Sequence, residues 1–250
     1  MKRLILILLV ATCFTTACQK SVQTRVMTYN VRNCTGLDNV HSCERVANII
    51  TSEDVEAVAI QELDSMTRRY PGEDILKNLA DLTGMYPTFG GSINFMGGKY
   101  GVGILTKEKP ISWKRIPLPC RSEPRSLLIV ELEDYYFCST HLSLHAEDRL
   151  TSAQIINEEL SKLDKPAIVT GDFNATPDEE SIKQLKNSFH FAESPTKYTF
   201  PADKPDIEID YIALTRAHAT QMEDIETHVV EAPVESDHRP LVSELKFRWK

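Results

Sequence analysis

The chain has 250 residues, 42% of them hydrophobic and 26% charged, the proportions of a globular protein rather than a disordered, collagenous or repeat one. Thirty-six acidic against 28 basic side chains leave a net charge of −8. That balance excludes a sequence-wide basic field able to gather nucleic acid or anionic lipid, so any polyanion must be held by local contacts.

The first element in chain order is a leader. Lys2 and Arg3 precede an unbroken apolar run from Leu4 to Ala11, and small or hydroxylated residues continue to Ala17. The run is far short of the roughly 20 residues that cross a bilayer, and its charged, apolar and small segments follow the order of an export signal over residues 1–17. Thr15-Thr16-Ala17-Cys18 resembles the lipobox of bacterial lipoproteins, with Cys18 as the lipidated first residue and residues 18–23 as a tether. The protein is therefore expected to be exported and held at a bacterial envelope membrane through Cys18. Cleavage removes two basic and no acidic residues, so the mature chain is more negative still.

Export to an oxidising compartment makes the even set Cys34, Cys43, Cys120 and Cys138 disulfide material. Cys34 and Cys43 bracket the polar, turn-rich stretch NCTGLDNVHSC, and a bridge between them is expected to clamp that loop. If residues 126–132 and 135–141 form a hairpin about Glu133-Asp134, Cys138 faces Ile129 rather than Cys120. No two cysteines have C-x2-C spacing, so nothing in the pattern points to zinc.

Residues 24–250 show no repeat, low-complexity tract or linker and read as one domain. Strand-length apolar runs are predicted at 25–30, 57–61, 101–106, 126–132, 135–141, 167–170, 209–214 and 240–247. Helices are predicted at 43–51, 74–83, 147–163 and 178–186, the third with Leu150, Ile155, Ile156, Leu160 and Leu163 on one side. Hairpin-like strand pairs mixed with helix-separated strands imply two sheets packed together and covered by helices.

The chemistry collects at strand ends. VMTYN ends on Asn30, AVAIQE on Glu62, FCSTH on His141 and AIVTGDFN on Asp172 and Asn174. IEID delivers Asp210, and Asp237 and His238 stand just ahead of the final strand. Carboxylate and amide oxygens suit a hard cation such as Mg2+ or Mn2+, and histidines beside carboxylates suit proton transfer or oxyanion stabilisation. There is no P-loop, no GxGxxG and no nucleophile elbow. Metal-assisted hydrolysis is the reaction class that remains.

MTYN, QELD, YGVGILTK, STHLS, GDFNATP, DYI and SDHRP, in this order and spacing, resemble the endonuclease/exonuclease/phosphatase superfamily of DNase I-like proteins over about residues 24–247. The resemblance implies a four-layer α/β sandwich, two mixed β-sheets face to face with helices outside. It also implies roles. Glu62 matches the principal Mg2+ ligand, with Asn30 beside it and Asp237 as a further carboxylate at the metal. Asp172 resembles the group that orients or deprotonates the attacking water, and Asn174 a phosphate-oxygen contact. His238 matches the histidine that stabilises the pentacovalent phosphate, held by Asp210, and His141 a second phosphate-facing histidine. Arg125 is a further expected phosphate contact.

Nucleases of this family pair the first histidine with a carboxylate just ahead of the YGVGIL-type strand, where this chain has Gly97-Gly98-Lys99. Its loops are mixed in charge, basic at 107–110 and 113–115 but acidic over 223–236. The expected function is thus metal-dependent hydrolysis of a small or lipid-headgroup phosphate ester by a monomer. A DNA nuclease and a catalytically silent surface binding lipoprotein are the alternatives.

Overall fold

The computed structural model describes residues 19–249, so the leader and Cys18 lie outside the described residues. Among the described residues twelve strands and four α-helices follow one another. The strands are β1 (Lys20–Asn30), β2 (Ala57–Ser65), β3 (Tyr86–Phe95), β4 (Gly98–Thr106), β5 (Ser112–Leu118), β6 (Arg125–Glu131), β7 (Tyr136–His141), β8 (Ala167–Asp172), β9 (Phe189–Phe191), β10 (Asp210–Thr215), β11 (Thr220–Val229) and β12 (Leu241–Trp249). The helices are α1 (Cys43–Ser52), α2 (Ile75–Thr83), α3 (Ala146–Ser161) and α4 (Glu180–Ser188).

The strands form two six-stranded sheets, ordered β11-β12-β1-β2-β4-β3 and β5-β6-β7-β8-β10-β9. Each is mixed: β1 and β2 run parallel in the first, β7 and β8 in the second, and their other neighbours pair antiparallel. Val58, Ile60, Met27 and Tyr29 pack with residues of α1 and α2. Cys138, Val169 and Ala213 pack with Ile156 and Leu160 of α3 and with Ile182 and Leu185 of α4. Between the sheets lie Val26, Ala57, Ala59, Leu128, Val130, Phe137, Ile168 and Ile212. The order helix, sheet, sheet, helix is the expected four-layer sandwich, and it follows from strands that are apolar on both faces.

The helices begin where their side chains can cap them. Arg45 donates its backbone N–H to Ser42 Oγ at the start of α1, and Lys77 donates to Asp74 at the start of α2. Helix α3 differs from the expected pattern. Leu150 and Ile155 are only half-buried, and its first turns bury Asp148 and Arg149 instead. Both have charged partners: Asp148 accepts from Arg121, and Arg149 pairs with Glu179 while donating to the Ser143 carbonyl at 3.1 Å.

The hairpin β6–β7 has the expected register, with Ile129 opposite Cys138. Cys34 and Cys43, expected to be joined, are both buried and stand as free thiols in this structure. The loop is held without a covalent bond. Ser42 donates its N–H to the Cys34 carbonyl at 2.8 Å, and Thr35 bridges to His41.

Candidate active site

Alternation along the strands places the polar groups. On the inner faces, successive residues turn from apolar to polar toward one edge of the sandwich: Val26, Thr28, Asn30 on β1; Ala57, Ala59, Gln61 on β2; Phe137, Ser139, His141 on β7; Ile168, Thr170, Asp172 on β8; Leu214, Ile212, Asp210 on β10. Thr28 donates to Gln61 at 3.3 Å, and Gln61 donates to Ser139 at 3.4 Å across the sheets. This buried polar rung lies beneath a cluster at the carboxyl ends of the two parallel pairs, the position where open α/β sheets bind ligands.

Asp172 is the centre. It is the register partner of His141 on one side and of Asp210 on the other. Its Oδ2 accepts from the Asn30 amide at 3.1 Å and lies 3.4 Å from His141 Nε2 and 3.6 Å from His238 Nε2, while its Oδ1 accepts the Asn174 backbone N–H at 2.9 Å. Gly171 lets β8 approach β7 here, since a side chain on it would stand 2.0 Å from the Thr140 carbonyl. Asn30 also donates to Glu62 Oε1 at 3.1 Å, so one amide joins the two carboxylates.

Glu62 reaches Asn30 only because β2 breaks its own alternation. The pairing of β2 with β4 slips between Ile60 and Leu63, and Glu62 takes a positive φ of 60°. This bulge turns inward a side chain that strand parity would send to the helices. Just beyond β1, Arg32, Asn33 and Cys34 are also left-handed, and Asn33 Oδ1 accepts the Asp64 N–H at 2.7 Å. The ends of β1 and β2 are thereby tied together.

The last members arrive from the segment ahead of β12. Ser236 Oγ donates to the Asn30 carbonyl at 2.7 Å and accepts the His238 N–H at 3.5 Å, fixing the loop. Asp237 lies 3.9 Å from the Arg32 guanidinium. His238 Nδ1 is 2.8 Å from Asp210 Oδ2, which also accepts the Thr199 hydroxyl at 2.5 Å.

The two buried histidines are driven in opposite directions. For His238 burial disfavours the cation, but Asp210 and Asp172 outweigh it and carry the imidazolium up to about 10. His141 is pushed down to about 3 by burial, reinforced by Arg125 and the positive His238 against the pull of Asp172. One histidine is thus a charged donor and the other a neutral one. Burial pushes the Glu62 carboxyl up, the Asn30 bond opposes this, and the charges of Asp237 and Asp172 add to the rise.

Glu62 and Asp237 repel each other as carboxylates and offer the oxygen donors that a hard divalent cation takes, while Asn30 turns its amide nitrogen to Glu62 and Asp172 and its Oδ1 accepts the Arg32 N–H at 3.2 Å. Asp172, Asp210 and His238 also have ligand atoms within 4.8 Å of one another. There, however, the ring already bonds Asp210 and faces Asp172 with its other nitrogen, the geometry of a held acid–base pair rather than a chelate.

The structure therefore brings the expected site residues together at this edge of the two sheets. Arg125 is half-buried; its Nη1 pairs with Glu123, while its Nε–H has no partner among the described residues. Asn174 uses one amide N–H on the Leu142 carbonyl, at 3.0 Å. Ser236, Thr199 and Glu123 were not visible as members beforehand. Ser236 precedes Asp237 in SDHRP, and that adjacency was the only signal.

Residues 27–238 match the Endonuclease/Exonuclease/phosphatase family. The chain belongs to that family. Among solved structures, an endonuclease/exonuclease/phosphatase from Beutenbergia cavernae has a TM-score of 0.75 at 21% identity, over 90% of this chain and 72% of that one. One from Bacteroides vulgatus reaches 0.73 at 19%, over 90% and 98%. The mannosyl-6-phosphatase Bt3783 of Bacteroides thetaiotaomicron reaches 0.68 at 18%, over 89% and 99%. No relative was found among curated protein sequences. At these identities the neighbours establish the fold, and the family match places the chain among phosphoester hydrolases.

One consequence of the His141 environment is measurable in the metal-free protein. The unfolded chain takes up a proton at this residue near its ordinary 6.5, whereas the folded chain refuses it down to about 3. In that window the unfolded state holds more protons, so stability falls as the pH drops, by at most about 1.4 kcal/mol per pH unit. Urea unfolding at pH 7 and pH 5 is expected to show a smaller acid loss in His141→Gln than in the parent. An identical loss in both would remove the burial argument.

Proposed function

We propose that the protein is a divalent-metal-dependent hydrolase of small or lipid-headgroup phosphate esters, acting as a monomer. The observation that supports this reading is the Asn30 amide shared between Glu62 and Asp172, which joins two carboxylates beside the two buried histidines. Mg2+ or Mn2+, held by Glu62, Asn30 and Asp237, would neutralise phosphate oxygens and polarise the phosphorus. Asp172 accepts N–H donors on both oxygens and takes the proton of the attacking water. His238, charged and fixed by Asp210, presents a donor to the charge that builds on the non-bridging oxygens, and His141 presents a second, neutral one. Because these groups are held by the sheets before substrate arrives, in-line attack needs little rearrangement.

Two fold neighbours are a mannosyl-6-phosphatase and ANGEL2, a 2',3'-cyclic phosphatase, which supports a compact phosphate group as substrate. The charge supports it too. A net −8 gives no long-range attraction to DNA, and a nuclease would depend on local phosphate contacts whose binding weakens steeply with salt. With Mg2+ in moderate salt, turnover of a phosphomonoester, an inositol phosphate or a headgroup diester is expected to exceed plasmid nicking and to vary weakly with ionic strength. Efficient nicking with negligible small-ester turnover would promote the nuclease reading. No hydrolysis of any of them with Mg2+ or Mn2+ would promote the silent binding protein.

The leader and Cys18 support export and anchoring at a bacterial envelope membrane. Cys18→Ala should then move the protein from the membrane fraction to the soluble exported one.

A further inference from the structure

At the other end of the Cys34–Cys43 loop, away from Asp172, a second group of ligand-type side chains meets. We propose that His41, Cys43 and Glu73 form a separate binding site for a thiophilic divalent cation of the zinc type. A His nitrogen, the Cys43 sulfur and a Glu73 carboxylate oxygen all lie within 4.8 Å of one another. Sulfur, nitrogen and oxygen together form a borderline-soft set, which suits Zn2+ and contrasts with the all-oxygen set at Glu62.

The side chains are held as ligands are held. His41 stacks on Tyr70 with ring centres 4.6 Å apart, Thr35 Oγ1 lies 3.4 Å from its Nδ1, and its Nε2 hydrogen-bonds Glu73 Oε2 at 3.2 Å, the one bond a cation between them would replace. Unlike His238, whose two nitrogens both face buried carboxylates, His41 has a carboxylate on one nitrogen only and is half-buried. Asn78 donates to the same Glu73 oxygen at 3.2 Å. Thr35, on the far side of the imidazole, orients His41 as the outer partner of a metal-binding histidine does. Cys43 opens α1, where the helix end favours an anionic ligand. Cys34 is a buried free thiol on the same loop.

An open cavity of about 440 Å3 adjoins the group and is lined by His41, Cys43 and Glu73 among others, which gives an ion and its water a route in. Three protein ligands leave a fourth position for that water. As the metal–sulfur bond forms, Cys43 releases its proton to solvent. No sequence spacing announces the site, because Glu73 joins the other two only through the fold. The loop from Arg32 to Ser42 starts two residues after Asn30, so an ion here would brace the segment that positions the catalytic amide.

The test uses the mature protein, reduced and freed of metal by dialysis against chelator, and titrated with Co2+ and then Zn2+. A sulfur-to-cobalt charge-transfer band is expected in the near ultraviolet, displaced by one equivalent of Zn2+. Cys43→Ser should lose the band, and His41→Asn or Glu73→Gln should weaken Zn2+ roughly 10–100-fold. Glu62→Gln should leave the band unchanged, which separates this site from the proposed catalytic one. Zn2+ should also raise the melting temperature of the parent but not of His41→Asn. Absence of the band in reduced parent, or its persistence in Cys43→Ser, overturns the proposal. So does peptide mapping that finds Cys34 joined to Cys43 in the exported protein. If Cys43→Ser does not fold, the two variants at the half-buried positions decide the question alone.

Discussion

Asp172→Asn is expected to lower turnover about 1,000-fold at saturating Mg2+, the scale of a general base. The change keeps the shape of the side chain and its Oδ1 acceptor for the Asn174 N–H. It removes the negative charge facing His141 and His238, together with the capacity to accept a proton from water. Cation affinity should stay within a few-fold, because the oxygen set at Glu62, Asn30 and Asp237 is untouched. His238→Gln should cost about 100-fold or more by removing a charged donor, and the pair of losses should be less than additive, since both act on one transition state. Single-turnover kinetics alongside calorimetric Mg2+ binding checks both. An Asp172→Asn enzyme within tenfold of the parent would mean that water is activated elsewhere.

Exhaustive chelation is expected to abolish hydrolysis, with Mg2+ or Mn2+ restoring it. Glu62→Gln should raise the cation concentration for half-maximal rate by at least about 100-fold. A second readout comes from the same residue without any metal. Burial and the charges of Asp237 and Asp172 raise the Glu62 carboxyl, so at neutral pH its anion destabilises the metal-free fold. Glu62→Gln should therefore melt higher than the parent in chelator and lower than it with saturating Mg2+. A variant that melts lower under both conditions would make Glu62 a structural residue, and full activity after chelation would remove the metal mechanism altogether.

The predicted strands are those that are apolar on both faces, and each of the eight lies inside or overlaps an observed one. The strands missed are β3, β5, β9 and β11. All four lie at sheet edges, where water replaces a neighbour and the apolar signal thins: β5 and β11 leave most of their residues exposed or half-buried. The site was legible because its groups sit at strand ends in an ordered series of motifs. What could not be read was partnership across the chain. His41 has no motif, and Glu73 gives no sign of meeting it. The same holds for Glu123 on Arg125, a near neighbour whose pairing depends on the turn between them. The Cys34–Cys43 spacing suggested a bond, while the fold supplies backbone hydrogen bonds that hold the loop without one.

The bulge in β2 bears on anyone who would rebuild this chemistry elsewhere. Ideal strands of the same sequence, laid in the same order, would reproduce the inward placing of Asn30, His141, Asp172 and Asp210 from parity alone. They would aim Glu62 at the outer helices, a residue's width from where it is needed. A grafted copy must therefore carry the irregular backbone of residues 60–63 and its left-handed φ as part of the site. On the proposed function, a defect of register is itself part of the site, and a scaffold chosen for regularity would discard it.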